Sequence, residues 1–152
     1  MLDKNTLIKV TNRDNGSVGY AIPDLGNLHR RFEAGETKEV TMEELRKLSY
    51  TIGGNVILKE YLLIHNKEAV EELLGTVEPE YYYEEEDVKN LLEKGTLDEL
   101  KDCLDFAPEG TIELVKKVAV ETELNDIRKR AAIQEATGFN INSAIEIFFI
   151  II

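Results

Sequence analysis

The hydrophobic pattern changes period once along this chain, at three consecutive tyrosines set among acids, and that change limits the folds open to it. Upstream, through residue 64, short apolar runs are separated by turn-forming dipeptides such as Asn15-Gly16, Pro23-Asp24 and Gly53-Gly54. Downstream of residue 87, apolar residues recur at three- and four-residue spacing. The pattern predicts an α+β fold in three stretches. Residues 1–76 form a small β-rich sheet or barrel unit with one or two short helices. Residues 77–87 are a tyrosine/acid connector, and residues 88–152 are a bundle of short helices.

Within the first stretch, Thr6 to Thr11 is the first expected strand, with Leu7 and Val10 facing inward. Asp14-Asn15-Gly16-Ser17 then turns the chain into Val18 to Ile22, since Asn-Gly between two such runs is a hairpin signal. Leu28 to Glu33 and Thr37 to Val40 make a second expected hairpin, turning at Ala34-Gly35-Glu36. Thr41-Met42-Glu43-Glu44 has capping-box spacing and opens a helix through Leu48. Val56 to Ile64 reads as one long strand or two short ones. A helix from Lys67 to Leu74 follows, begun by Asn66 and stopped by Gly75.

Five helices are expected beyond the connector. The first, Glu84 to Lys94, ends at Gly95. Thr96-Leu97-Asp98-Glu99 repeats the capping-box spacing and opens the second, and Pro108 suits the first turn of the third. Asn125 caps a fourth that ends at Thr137-Gly138, and Asn140 or Asn142 opens the last.

Charge narrows the function classes. The 152 residues carry 30 acids against 18 lysines and arginines, a formal net charge of −12. Such a balance repels a phosphate backbone, so nucleic acid is not expected as a direct partner. No apolar run approaches the roughly 20 residues of a membrane span. Met1 to Thr6 lacks the basic-then-apolar plan of a signal peptide. These features set the expectation of a cytoplasmic protein with no membrane partner.

Convergent catalytic groups are not legible. Cys103, the single cysteine, lies in the acidic context Asp102-Cys103-Leu104-Asp105 and reads as a small buried hydrophobe. His29 and His65 have no partner at helical spacing, and no zinc-protease motif, phosphate loop or nucleophile elbow occurs. Asp102 and Asp105 read as exposed acids. The expectation is a protein that is not an enzyme and carries no cofactor or metal.

Three features read as contact surface or as packing. Tyr81, Tyr82 and Tyr83, with Glu84, Glu85 and Glu86, either form a partner site or pack the sheet unit against the bundle while the acids face water. Arg30-Arg31 and Arg128-Lys129-Arg130 are basic clusters best explained by salt bridges on an acidic protein. The apolar tail Phe148 to Ile152, with Phe148 and Phe149 foremost, packs into the bundle, docks on another chain or marks a shortened end.

Two stretches carry a family resemblance. Val18 to Asn27 with Phe32 to Leu48, and Val77-Glu78-Pro79-Glu80-Tyr81-Tyr82-Tyr83 with Leu104 to Gly110, resemble an uncharacterised family of small proteins encoded by tailed bacteriophages. Members of that family continue past Ile145 with polar residues, unlike Phe148 to Ile152. The resemblance implies a non-enzymatic structural or assembly protein: capsid-associated, a decoration protein or a head–tail accessory. Its partners would be other protein chains, the phage capsid or further copies of itself. It would reside in the cytoplasm of the infected bacterial host and in the virion. The alternative is an acidic early regulator or inhibitor that binds a basic host protein. A narrower likeness, Ala132 to Phe139 with Ala144-Ile145, is similar to the first two helices of ubiquitin-associated-like three-helix domains, which bind partners through the intervening turn.

Overall fold

The structure, a computed structural model, describes residues 1–151. Strand β1 (Leu7–Asn12) buries Ile8, Val10 and Asn12 and leaves Leu7 and Lys9 in solvent. The expectation for Leu7 is therefore corrected. A period of two puts Ile8 and Val10 on one face, and Leu7 necessarily falls on the other. β1 is the middle strand of a three-stranded antiparallel sheet, between β4 (Thr37–Thr41) and β5 (Leu62–Ile64). Ile8 faces Val40 and Val10 faces Ile64. A second, two-stranded antiparallel sheet pairs β2 (Val18–Ile22) with β3 (Leu28–Phe32), Tyr20 opposite Arg30.

Neither expected hairpin forms a ladder. The favoured Asn-Gly hairpin turn needs positive φ at both central residues, and neither Asn15 nor Gly16 has it. The buried Asn12 side chain redirects the chain instead. Its amide nitrogen donates to the carbonyls of Gly16 (2.8 Å), Phe32 (3.2 Å) and Glu33 (3.1 Å), while its oxygen accepts from the Asp14 N–H at 2.8 Å. One side chain thus ties the end of β1 to the loop after it and to the end of β3. The reversal at Ala34-Gly35-Glu36 exists, with Gly35 at φ 76° and the Glu36 N–H donating to the Glu33 carbonyl. The strands on its two sides belong to different sheets.

Helix α1 (Met42–Ser49) begins as its spacing predicts, with the Thr41 hydroxyl accepting from the Glu44 N–H at 3.2 Å. The long strand expected over Val56 to Ile64 does not form. The chain instead makes a short helical turn, α2 (Gly54–Val56), and a π-helical turn (Ile57–Tyr61) before β5. A nine-residue apolar run suits a strand or a buried helical segment equally. Packing decides: a Cβ at Gly54 would lie 1.8 Å from the Leu48 carbonyl oxygen, so the turn is pressed against the end of α1. Helix α3 (Lys67–Leu74) follows, capped by the Asn66 side chain and stopped at Gly75.

After a 3-10 turn, Pro79–Tyr82, the remaining helices are α4 (Glu85–Lys94), α5 (Leu97–Phe106), α6 (Glu109–Glu121), α7 (Ile127–Thr137) and α8 (Ile141–Ile151). Thr96 and Glu99 form the reciprocal capping box that starts α5. Asp126 caps α7 in place of the expected Asn125, accepting from the backbone N–H of Arg128 and Lys129. Gly138 ends α7 at φ 76°, a left-handed cap open to glycine, and Asn140 accepts from the Ser143 N–H to start α8. The fold is thus α+β, a small N-terminal sheet region followed by helices.

The apolar side chains gather into two clusters. One runs from Ile8 to Tyr81, the other from Val88 to Ile145 with Tyr83 packed against it. Two cores expose more surface than one. The chain shows 8603 Å² to solvent, against roughly 7,800 Å² for a single compact body of its mass.

Candidate functional site

The tyrosine segment divides its three rings between three environments. Tyr81 is 1% exposed and belongs to the sheet-side core. Its hydroxyl accepts from the Ile64 N–H and donates to the Leu58 carbonyl, each at 3.3 Å. Tyr83 is half-buried and packs on the helical core. Tyr82 alone faces solvent, its ring edge-on to Tyr81 at 5.2 Å. The run therefore pins both cores, and a partner can reach Tyr82 but not Tyr81.

Arg13 locks this junction. It is buried, with its guanidinium 4.4 Å from the centre of the Tyr81 ring. It donates to the carbonyls of Tyr81 and Lys59. Its aliphatic stem lies against Gly110, where a Cβ would come within 2.7 Å of Arg13 Cγ and 2.8 Å of the Glu60 carbonyl. The first turn of α6 is thereby seated on the π-helical turn, and the Glu60 carboxylate accepts from the Glu109 N–H at 2.7 Å. Burial lowers the Arg13 guanidinium to about 10 and raises the Tyr81 phenol to about 12.

The acids that follow are spread along the surface. Glu84 precedes α4, its backbone N–H donating to the Asp87 carboxylate at 2.9 Å. The Glu84 carboxylate stands 3.6 Å from His65 Nε2, which also makes a 2.7 Å hydrogen bond with the Thr11 hydroxyl. Glu85 and Glu86 are exposed. Glu80, just before the tyrosines, is buried, and one carboxylate oxygen has no hydrogen-bond partner among the described residues. Burial and the neighbouring Asp102 hold its carboxyl above the usual range. Cys103 lies beside them, fully buried, its thiol pushed up to about 12 by burial, Glu80 and Asp102. A thiol raised so far is a poor nucleophile at neutral pH.

The C-terminal helix presents a second surface. Phe148 is half-buried against the helical core, while Ile147, Phe149 and Ile150 are exposed at 58%, 47% and 81%. Ile152, the last residue of the apolar tail, lies outside the described residues. Between α6 and α8 runs a mainly apolar cleft of about 490 Å³, lined by Lys116, Lys117, Val120, Phe139, Ile147 and Phe148 among others.

Several residues escaped the sequence reading. Tyr50, Ile52 and Val56 are exposed in the turn region after α1, and Val56 reads as strand in sequence. Lys129, inside a cluster read as surface charge, is buried and donates to the carbonyls of Leu92 (2.8 Å) and Gly95 (2.7 Å) at the end of α4. Three of the other basic positions take acidic partners, Arg30 with Glu44, Arg31 with Glu33 and Arg128 with Asp126, whereas Arg130 donates instead to the Leu124 carbonyl and the Asn142 side-chain oxygen. Glu44 is itself buried and also accepts from the Tyr20 hydroxyl, so burial and that bond raise the phenol. Among the described residues, no three His, Cys, Asp or Glu side chains are grouped to hold a metal, and no helix is long and apolar enough to cross a membrane. Comparison with family models, curated proteins and solved structures finds no match to this chain.

Proposed function

We propose that the chain is a non-enzymatic structural or assembly protein of a tailed bacteriophage, working through protein–protein contacts in the infected cell and in the particle. The reading would make it a capsid-associated, decoration or head–tail accessory protein. The observation that supports it best is the presence of two separate exposed apolar sets. Tyr50, Ile52 and Val56 lie in the turn region after α1, and Ile147, Phe149 and Ile150 lie on α8. A protein seated between neighbours in an assembly needs more than one contact surface, and exposed apolar side chains close together in sequence at two places in the fold supply candidates for them. The arginine–tyrosine junction supports a rigid spacing between the two sets.

A second reading, an acidic regulator of a basic host protein, draws on the exposed run Glu84, Glu85, Glu86 and Asp87 beside Tyr82. Mass spectrometry of nuclease-treated particles from the strain carrying this sequence separates the two. Many copies per particle, counted against the major capsid protein, are the expected result. Peptides abundant in infected-cell lysate but absent from particles would overturn the structural reading. They would direct attention to a target whose binding weakens steeply with salt.

A further inference from the structure

The exposed face of α8 carries its own complement on the neighbouring helix. At about 100° per residue, Ile141 and Ile145 turn inward, and both are buried. Ser143 and Ile150 then lie at the middle of the outer face. Glu146 lies on one flank. Ile147 lies on the opposite flank, where the helix borders the cleft against α6. Glu146 is the only charged residue in α8, and the cleft side carries Lys116 and Lys117, with Glu113 and Glu121 beside them. Lys116 is paired with Glu113 at 2.9 Å. Lys117 and Glu146 stand in no ion pair among the described residues.

We infer that α8 is a self-association surface: two copies of this chain pair through their α8 helices, side by side and parallel about a two-fold axis. The flanks determine the direction. In a parallel two-fold pair, each helix sets its Glu146 flank against the cleft flank of the other, so Glu146 of one copy meets Lys117 of its partner, twice. In an antiparallel pair like flanks meet, and Glu146 faces Glu146. Ser143 at the middle of the face lets the helices approach closely, and Ile150 packs across the axis. Ile147 is covered at the rim of the cleft. An isologous contact of this kind closes on itself and stops at two copies. With Ile147 and Ile150 the only large exposed apolar side chains each copy brings to this face, it falls at the small end of stable interfaces, so the dimer forms at roughly micromolar concentration or above. The pairing is independent of the assembly reading, since it is a property of the purified chain.

The test is sedimentation of the full chain from about 1 to about 500 µM, over which a micromolar association passes from monomer to dimer. The wild-type chain should make that transition. Ile150→Asp should weaken it by at least tenfold while leaving the melting temperature unchanged at the dilute end of the range, where the chain is monomeric and Ile150 is exposed. Glu146→Lys and Lys117→Glu should each weaken the dimer several-fold, and the two substitutions combined should restore it. A monomer across the whole range, a dimer indifferent to Ile150→Asp, or a double variant no tighter than either single one would each overturn the inference.

Discussion

Replacing Tyr81 by alanine measures how much of the molecule hangs on the junction between the two cores. The ring is 1% exposed, and emptying such a site costs about 3–5 kcal/mol through lost burial and the cavity left behind. The hydroxyl bridges the Ile64 N–H and the Leu58 carbonyl. Leaving those groups without it adds about 1–3 kcal/mol. The Arg13 guanidinium over the ring contributes about another 1 kcal/mol. Together these give about 5–9 kcal/mol, comparable with the whole stability of a typical domain, about 5–15 kcal/mol. Tyr81→Ala should therefore leave the sheet region largely unfolded. Tyr81→Phe, which keeps the ring and the stacked guanidinium, should cost only the hydroxyl's share, about 1–3 kcal/mol. Tyr82→Ala, at a solvent-facing ring, should cost less than about 1 kcal/mol. Urea unfolding followed by circular dichroism reads all three. With a slope of about 2 kcal/mol per molar, the Phe variant should move the midpoint by about 0.5–1.5 M. If Tyr81→Ala cost no more than Tyr82→Ala, the junction would not be what holds the cores together.

Lys129→Met removes the ammonium that donates to the Leu92 and Gly95 carbonyls at the end of α4. It should cost about 1.5–3 kcal/mol, whereas Arg128→Ala, at an exposed neighbour, should change the melting temperature little. Glu44→Ala strips the partner from Arg30, bound through Nε at 3.0 Å and a terminal nitrogen at 2.6 Å, and from the Tyr20 hydroxyl. Because Arg30 is partly exposed and can turn to water, a loss of about 1.5–3 kcal/mol in chemical denaturation is expected, set by the charge-assisted hydrogen bonds removed. Glu80 predicts a pH dependence. Burial and Asp102 raise its carboxyl above the ordinary 4.5, so the folded state holds that proton more tightly than the unfolded one. Its contribution is fully present below pH 4.5 and is lost as pH rises through the raised value. The groups facing it are Asp102 and Glu78, with Cys103 and Tyr83 behind. Glu80→Gln should make the protein more stable than wild type at pH 7, with the advantage shrinking toward pH 4. Urea midpoints across that range check it, and a constant difference would refute it.

Local chemistry made much of the helical half legible. Thr96 and Glu99 are three residues apart, and their reciprocal hydrogen bonds involve only atoms of one turn. Asn66, Gly75, Gly138 and Asn140 act at similarly short range, so helix ends could be read from neighbouring letters. The sheet pairing could not. Asn15-Gly16 carries a hairpin signal, yet β1 takes partners from residues 37–41 and 62–64. The determinant is Asn12, whose amide reaches carbonyls about 20 residues away. Val56 to Ile64 was undecidable by pattern, and a contact at Gly54 with no signature in its neighbours decided it.

The candidate surfaces divide in the same way. The sequence alone determined that three tyrosines, a run of acids and an apolar tail had to be placed somewhere, because composition and order are local facts. Only the tertiary structure decided that Tyr81 is core and Tyr82 surface, and that Lys129 is a helix cap. It also set Ile147 beside the lysines of α6. Burial is a property of what arrives from elsewhere in the chain: a side chain three residues from a turn carries no mark of the strand, arginine or helix that will close over it.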